Sequence, residues 1–346
     1  MYEIKAMVSY KISSQSLMKI LSYSQAFIIL SPYLWIMIIH EGYENLNILN
    51  PVVTLGIFDG VHRGHKTLIA SLISKARSVN SESVIITFYP HPRLVLSDNK
   101  TSLAFLTSLE EKISLLEKEG VDHLIIIPFD HELSNKESCE FIIEVLVRKI
   151  GTKFLIAGFN HHFGKKGDDD FDTIRRCAES FGIVVEQVKA LDTDKGIVSS
   201  SLIREALLKG ELEEASMLLG YNYFINGTIV KGRHLGREIG FPTANINPDY
   251  KNKLVPKDGV YAVEVFIEGS KYYGMLSIGS NPTVNDDPQK RTIEVNIFGF
   301  EKDIYNSEIC VVFRYRLRDE IKFDSIALLT EQLKIDKKMA LKVFKK

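Results

Sequence analysis

His62 and His65 stand three residues apart in the run GIFDGVHRGHKTL, behind Gly56 and Gly60 and flanking Gly64. The apolar run before them reads as a strand and the run after them as a helix beginning around His62. A three-residue spacing then puts both imidazoles on one face of the first helical turn. Free N–H groups and the positive end of the helix dipole lie there, an arrangement that accepts an anion, and the three glycines permit tight turns before it. Two imidazoles and a helix terminus converging on one phosphate suit phosphoryl or nucleotidyl transfer, in which fixed donors stabilise developing negative charge. The residues alone leave two other readings open: a metal-binding histidine pair and two satisfied surface histidines.

Further along, VSSSLIREAL offers three hydroxyls, Ser199, Ser200 and Ser201, placed to cap a helix that carries Arg204. A helix cap by itself accounts for the serines. With the planar donor of Arg204 added, the group could hold the β and γ phosphates of ATP. A second glycine-rich run, GTIVKGRHLGREIGFPTANI, has Gly232, Gly236 and Gly240 ahead of Thr243 and Asn245. The last two present a hydroxyl and an amide oxygen, hard donors of the kind Mg²⁺ accepts, so a magnesium-ATP site is implied. In RTIEVNIF, Glu294 lies between β-branched residues; an outward-facing polar residue of an alternating strand is the plain reading of that position.

These residues need elements to position them. From Val52 to about Gly220, strand-like runs (VVTLG, SVIITF, HLIIIPF, KFLIAGF, IVVEQV) alternate with helical ones, which specifies a parallel sheet with helices on both faces and ligands at the C-terminal strand ends. After Gly220, short strand-like runs separated by Gly, Asn, Asp and Pro predict a small antiparallel β-barrel. A final helical pattern, FDSIALLTEQLKIDKKMALKVF, closes the chain. Two domains follow, 37–220 and 221–346. Residues 1–36 are expected to be an extension outside the folded core, with a plausible domain opening at Met37. The apolar run Phe27 to Ile39 spans 13 residues and contains Pro32, short of the roughly 20 that a spanning helix needs. No membrane is expected.

The whole chain has 346 residues, 45% apolar and 25% charged, typical of a globular enzyme. With 43 basic and 44 acidic residues the net charge is -1, which argues against a nucleic-acid partner. Three widely spaced cysteines, Cys139, Cys177 and Cys310, suggest neither a disulfide framework nor a thiolate metal site, and a cytoplasmic location fits. The expected state is a monomer or weak homo-oligomer.

FDGVHRGH resembles the HxGH motif of the nucleotidyltransferase superfamily, in a context similar to the FMN adenylyltransferase module of bacterial bifunctional riboflavin kinase/FAD synthetases. VSSSLIR is similar to that family's SSTxIR element, with Ser201 where Thr is common. FPTAN resembles the PTAN motif of riboflavin kinases, and the likeness continues through GVYAVEV, IGSNPTV, TIEVNIFGF and RLRDEIKF. The resemblance covers roughly residues 40 to 340. It implies phosphorylation of riboflavin to FMN in the barrel and adenylylation of FMN to FAD in the α/β domain, with two ATP molecules and Mg²⁺.

The resemblance also implies site roles. His62, His65, Arg204 and Glu294 would be catalytic, Glu294 as general base for the riboflavin 5′-hydroxyl. Gly56, Phe58, Gly64, Ser199, Ser200, Ser201, Gly232, Gly240, Thr243 and Asn245 would bind nucleotide, Thr243 and Asn245 also the metal. His91, Asn160, Phe163, Asn281, Thr283 and Arg318 would meet flavin or phosphate, although ordinary loop or structural roles stay open for His91 and Arg318. The chain departs from the family pattern at Ile57, where Asn is frequent, and at NHHFG, where DFRFG is commoner. Two rival readings remain: adenylylation of a different phosphate-bearing acceptor, and a first domain that only binds nucleotide.

Overall fold

A computed structural model describes residues 36–44, 46–97, 103–159, 171–232, 236, 239–280 and 291–345. The expectations attached to Asn160, Phe163, Asn281 and Thr283, and to the extension before Ile36, lie outside the described residues. The chain divides into two compact units. One runs through Asn222 and takes in Tyr250–Pro256; the other comprises Tyr223–Asp249 and Lys257 onward.

The first unit contains a parallel sheet in the order β1-β4-β3-β2-β5-β6. Its strands are β1 (Ile38–Glu41), β2 (Val52–Leu55), β3 (Ser83–Tyr89), β4 (His123–Pro128), β5 (Phe154–Ala157) and β6 (Val184–Gln187), and a separate two-stranded ribbon pairs β7 (Asp192–Thr193) with β8 (Gly196–Ile197). β2 and β3 are buried almost end to end, as strands covered on both faces must be. The helices are α1 (Arg63–Ser78), α2 (Pro92–Leu96), α3 (Leu109–Glu117), α4 (His131–Ser134), α5 (Ser138–Phe141), α6 (Phe171–Ser180), α7 (Ser200–Lys209) and α8 (Leu212–Leu219), and α5 runs on into a π-helical stretch, Ile142–Ile150. α1 buries Leu68, Ile69, Leu72 and Ala76 as one stripe. The sheet order reverses at β2, flanked by β3 on one side and β5 on the other. The crevice beyond the carboxyl ends of β2 and β5 is therefore the place for a ligand.

Two features of this unit were not expected. β1, from the apolar run around Met37, pairs in parallel with β4 as an edge strand. Cys139 and Cys177 form a disulfide, with Cα atoms 5.8 Å apart, contrary to the expectation that the cysteines stay unpaired. They are 38 residues apart but meet because α5 and α6 pack together, which sequence spacing cannot reveal.

In the second unit β9 (Phe224–Val230), β10 (Ala244–Pro248), β11 (Gly259–Ile267), β12 (Ser270–Ser280), β13 (Arg291–Ile297) and β14 (Glu308–Arg318) close a barrel in the order β10-β13-β12-β11-β14-β9, its described pairings antiparallel. Tyr261, Val263, Leu276, Ile278, Val295 and Phe313 are buried. The terminal helix α9 (Ile326–Val343) packs Ala340 against Phe241, Ala262 and Met275. Among the described residues no helix is long and apolar enough to cross a membrane.

The segment Tyr250–Pro256, between β10 and β11 in sequence, is fastened inside the first unit by a buried ion pair, Lys253 Nζ to Glu111 Oε2 at 2.5 Å. Lys253 also donates to Leu106 O at 2.7 Å, and Glu111 closes a capping box with Ser108 at the start of α3. Removing one partner strands a buried charge. Lys253→Met is expected to lower the unfolding free energy by about 3 kcal/mol or more. Lys209→Met, which breaks the exposed pair with Glu205, is expected to cost far less, because solvent screens that pair. Urea unfolding of the two variants beside the parent checks the contrast.

Candidate active sites

The loop after β2 makes the first site. Its left-handed residues are Phe58, Gly60 and Val61, with φ of 53°, 81° and 36°; Gly56 and Gly64 serve a different need, close approach. A Cβ on Gly56 would lie 3.2 Å from the Phe58 ring, and one on Gly64 would lie 3.2 Å from His62 Nδ1 and 3.3 Å from Val198 O. The chain thus presses the loop, His62 and the segment before α7 together.

His62 is the N-cap of α1, and its Nδ1 accepts the backbone N–H of His65 at 3.3 Å. With Nδ1 committed as acceptor, the neutral ring carries its proton on Nε2 and presents a donor. The His62 and His65 rings stack with centroids 3.7 Å apart, and Phe58 lies 5.0 Å from His65 on centroids. Burial, with Arg204 as the second cause, pushes the His62 imidazolium down to about 4. His65 is driven well below the usual range by burial, then by His62 and Lys112, and among the described residues its buried Nδ1 has no hydrogen-bond partner. Both rings are therefore neutral at pH 7.

Asp59 organises the opposite wall. It is 4% exposed, its Oδ2 pairs with Arg204 Nη1 at 2.7 Å, and its Oδ1 accepts the N–H groups of Leu106 and Thr107 at 2.9 and 3.1 Å. Ser200 Oγ donates to the Asp59 carbonyl at 2.9 Å, so that hydroxyl positions the helix and its proton is committed. Ser199 is the N-cap of α7, accepting from Leu202 N–H, and Arg204 Nη2 donates to Ser201 Oγ at 3.2 Å. His62, His65, Gly56, Phe58, Gly64, Ser199, Ser200, Ser201 and Arg204 together line a cavity of about 430 Å³. Its volume falls in the range of small-molecule and nucleotide pockets. Phe159, Val188, Leu191 and Ile197 add an apolar side.

His91 is not in that cavity. It caps α2, Nδ1 accepting from Arg93 N–H at 3.1 Å, and stacks on Phe105 at 4.1 Å. It borders a small adjoining cavity with Asp59, Thr107, Lys112 and Tyr250. Burial first, then Lys112, Arg204 and Arg93, lower its imidazolium to about 3. Asp59 and Lys112 went unnoticed in the sequence. FDG offered a signal for Asp59; Lys112, one lysine in a helix, offered none.

The barrel holds the second site. Asn245 is directly opposite Glu294 across β10 and β13, and Ser277 on β12 is opposite Glu294 from the other side. Residues opposite each other in antiparallel strands share a face. The neighbours Ile293 and Val295 are buried, so this is the outer face. Thr243 Oγ1 donates to Glu294 Oε2 at 3.2 Å. Asn296, two residues from Glu294, donates to Pro242 O at 2.7 Å and holds the strand entry that carries Thr243. Gly232 leaves room for Asn245: a Cβ there would sit 2.0 Å from Asn245 Nδ2 and force that side chain to move. Gly240 is left-handed, with φ of 77°.

Arg318 is separate from these residues. Its Nε and Nη2 clasp the fully buried Asp336 of α9 at 3.0 and 2.7 Å, and Nη1 donates to Asp319 O at 2.9 Å. Those bonds moor the terminal helix to the barrel, the structural role left open for Arg318.

A parallel-sheet unit with histidines at a helix start and a barrel with a carboxylate beside a hydroxyl and an amide define a two-site, nucleotide-dependent transferase. The family described as FAD synthetase matches residues 46–202, and that described as riboflavin kinase matches residues 219–344. The bifunctional riboflavin kinase/FMN adenylyltransferase of Listeria monocytogenes is 39% identical over 83% of this chain and 90% of its own length. Its counterparts from Bacillus subtilis and Escherichia coli K12 are 36% and 35% identical, each over 85% of this chain and 92% of theirs. Among solved structures, the Macrolide-efflux Protein from Streptococcus pneumoniae is similar with a TM-score of 0.80 and 32% identity, over 88% of this chain and 98% of that one. The chain belongs to the bifunctional riboflavin kinase/FMN adenylyltransferase family.

The neutral histidines give the first unit a pH dependence. Their folded pKa values lie below the unfolded value of about 6.5, so between pH 6.5 and about 4 the unfolded chain binds protons that the native state refuses. Stability is complete above pH 6.5 and falls as pH drops. Each such histidine contributes up to about 1.4 kcal/mol per pH unit. Urea unfolding at pH 7, 6 and 5 should show the decline, with a shallower slope in His91→Gln.

Proposed function

We propose that this chain makes FAD from riboflavin in two ATP-dependent steps, riboflavin phosphorylation in the barrel and FMN adenylylation in the α/β unit. The observation that carries this reading is the coexistence in one chain of two constellations: His62, His65 and Arg204 around a nucleotide-sized cavity, and Glu294 hydrogen-bonded to Thr243 opposite Asn245.

In the barrel, Glu294 accepts the proton of the riboflavin 5′-hydroxyl as that oxygen attacks the γ-phosphorus of ATP and ADP departs. Thr243 orients the carboxylate, and Gly232 and Gly240 let backbone approach the phosphates. Thr243 and Asn245 bring a hydroxyl and an amide oxygen, hard donors that fit Mg²⁺; the ion, bound there, would neutralise charge on the ATP phosphates.

In the α/β unit, an oxygen of the FMN phosphate attacks the α-phosphorus of a second ATP, and pyrophosphate leaves with the electron pair of the broken P–O bond. The Nε2–H of His62 donates to the α-phosphate, and His65 supports it from the stacked position. Because both rings are neutral, they act as hydrogen-bond donors to the developing charge, not as acids. Arg204, held by Asp59, faces the leaving pyrophosphate. The apolar side formed by Val188, Leu191 and Ile197 receives the adenine.

Chromatographic product analysis with riboflavin, ATP and magnesium tests both assignments. The parent enzyme should yield FAD. His65→Ala should stop at FMN, its adenylylation lowered about 10²–10³-fold, the effect of losing one transition-state donor. Glu294→Gln should phosphorylate riboflavin about 10²–10⁴-fold more slowly, as for loss of a general base, yet convert supplied FMN at the parent rate. A parent enzyme that never passes FMN, even when FMN is supplied, would remove the adenylyltransferase assignment.

A further inference from the structure

Lys112 on α3 is 6% exposed, yet among the described residues it has no ion pair within 4.0 Å. Its Nζ makes one hydrogen bond, to Thr87 Oγ1 at 3.3 Å. The carboxylate that bears on it is Asp59, whose oxygens are already held by Arg204 and by the N–H groups of Leu106 and Thr107. Placing an ammonium group in such a site is costly unless an anion completes it. Burial lowers it to about 8, which leaves it mostly charged at neutral pH.

Lys112 borders the small cavity of about 20 Å³ that it shares with Asp59, His91, Thr107 and Tyr250. That is room for about one or two waters, enough for the oxygens of a small anionic group and too little for a ring system. Phe88 lines both this cavity and the larger nucleotide cavity, and the charge of Lys112 is felt at His65 and at His91. His91 has its Nδ1 occupied by Arg93 N–H, so its neutral ring presents an Nε2–H donor. A cation and a neutral donor therefore face a largely apolar recess next to the histidines assigned to the α-phosphate of ATP.

We propose that Lys112 is a phosphate-binding residue of the adenylyl-transfer site, holding a non-bridging oxygen of the acceptor's phosphate monoester while another oxygen of that group attacks ATP. The proposal rests on the adenylyltransferase reading above. Lys112 gives up no proton in the step: one P–O bond forms at the α-phosphorus, the bond to pyrophosphate breaks, and the lysine stays charged throughout. The recess selects the phosphorylated flavin over riboflavin, because only the former carries the anion that Lys112 requires.

The test is steady-state kinetics of FAD formation from FMN with full-length Lys112→Met and Lys112→Arg, the KM for FMN and for ATP measured separately, with thermal unfolding recorded for each. Lys112→Met should raise the FMN KM at least 10-fold and move the ATP KM less than about 3-fold. Lys112→Arg should recover most of the loss, and riboflavin phosphorylation should stay at the parent rate. Lys112→Gln replaces the Met variant if that one does not fold. An unchanged FMN KM overturns the proposal. So does an equal rise in both KM values that Arg fails to rescue, the pattern of a merely structural lysine. Parent enzyme that forms no FAD from FMN would instead sink the underlying reading.

Discussion

The carboxylate of Asp59 is the contact on which the first site depends. One buried side chain joins three segments that are distant in sequence: the loop after β2, the Leu106–Thr107 stretch ahead of α3, and Arg204 on α7. Its backbone carbonyl takes the Ser200 hydroxyl as well. A buried carboxylate is tolerable only when its lone pairs are filled and its charge is matched, and here Arg204 and two N–H groups do both. The same bonds that satisfy Asp59 fix the direction of the Arg204 guanidinium. Stability and geometry cannot be separated at this residue, and the segment carrying Leu106 is itself secured from behind by Lys253 and the capped start of α3.

Burial then sets the chemistry of the imidazoles. An exposed histidine pair at a helix start would be partly protonated near pH 6.5, and two stacked cations would repel. Desolvation removes that option, because His62 and His65 both lie in a wall where the charged form is disfavoured. The caps settle the tautomer: His62 and His91 each commit Nδ1 to a backbone N–H of the helix they begin. A residue that ends a helix neatly thereby also points an Nε2–H outward. Fixed, neutral donors need no reorganisation when negative charge grows on a phosphate.

Much of this was legible in the sequence. The alternation of strand and helix patterns from Val52 onward and the turn-rich strands after Gly220 correspond to the parallel sheet and the barrel. The helix starts at His62 and Ser199 were readable because capping residues sit just ahead of a helical pattern. The roles of individual glycines were not. Gly56, Gly60 and Gly64 read as three equivalent turn residues, but only Gly60 is left-handed, and the others are small because rings and a carbonyl crowd them. The bond that holds Arg318 was not readable either, because its partner, Asp336, lies on the terminal helix. The Cys139–Cys177 bridge and the return of Tyr250–Pro256 to the first unit depend on long-range packing, which no local pattern encodes.

The barrel shows the same economy on a smaller scale. Strand register brings Asn245, Ser277 and Glu294 to one face, and Thr243, just ahead of β10, reaches Glu294 from the strand entry. Asn296 repeats the logic of Asp59: its amide donates to the Pro242 carbonyl and so holds the segment that carries Thr243 into β10. An alternating strand would ordinarily turn Glu294 to solvent with no further consequence. Here Thr243, at the entry to β10, offers it a hydroxyl at hydrogen-bond distance and β10 an amide directly opposite, and that company, more than its place in an alternating pattern, suits the carboxylate to the proposed role of base.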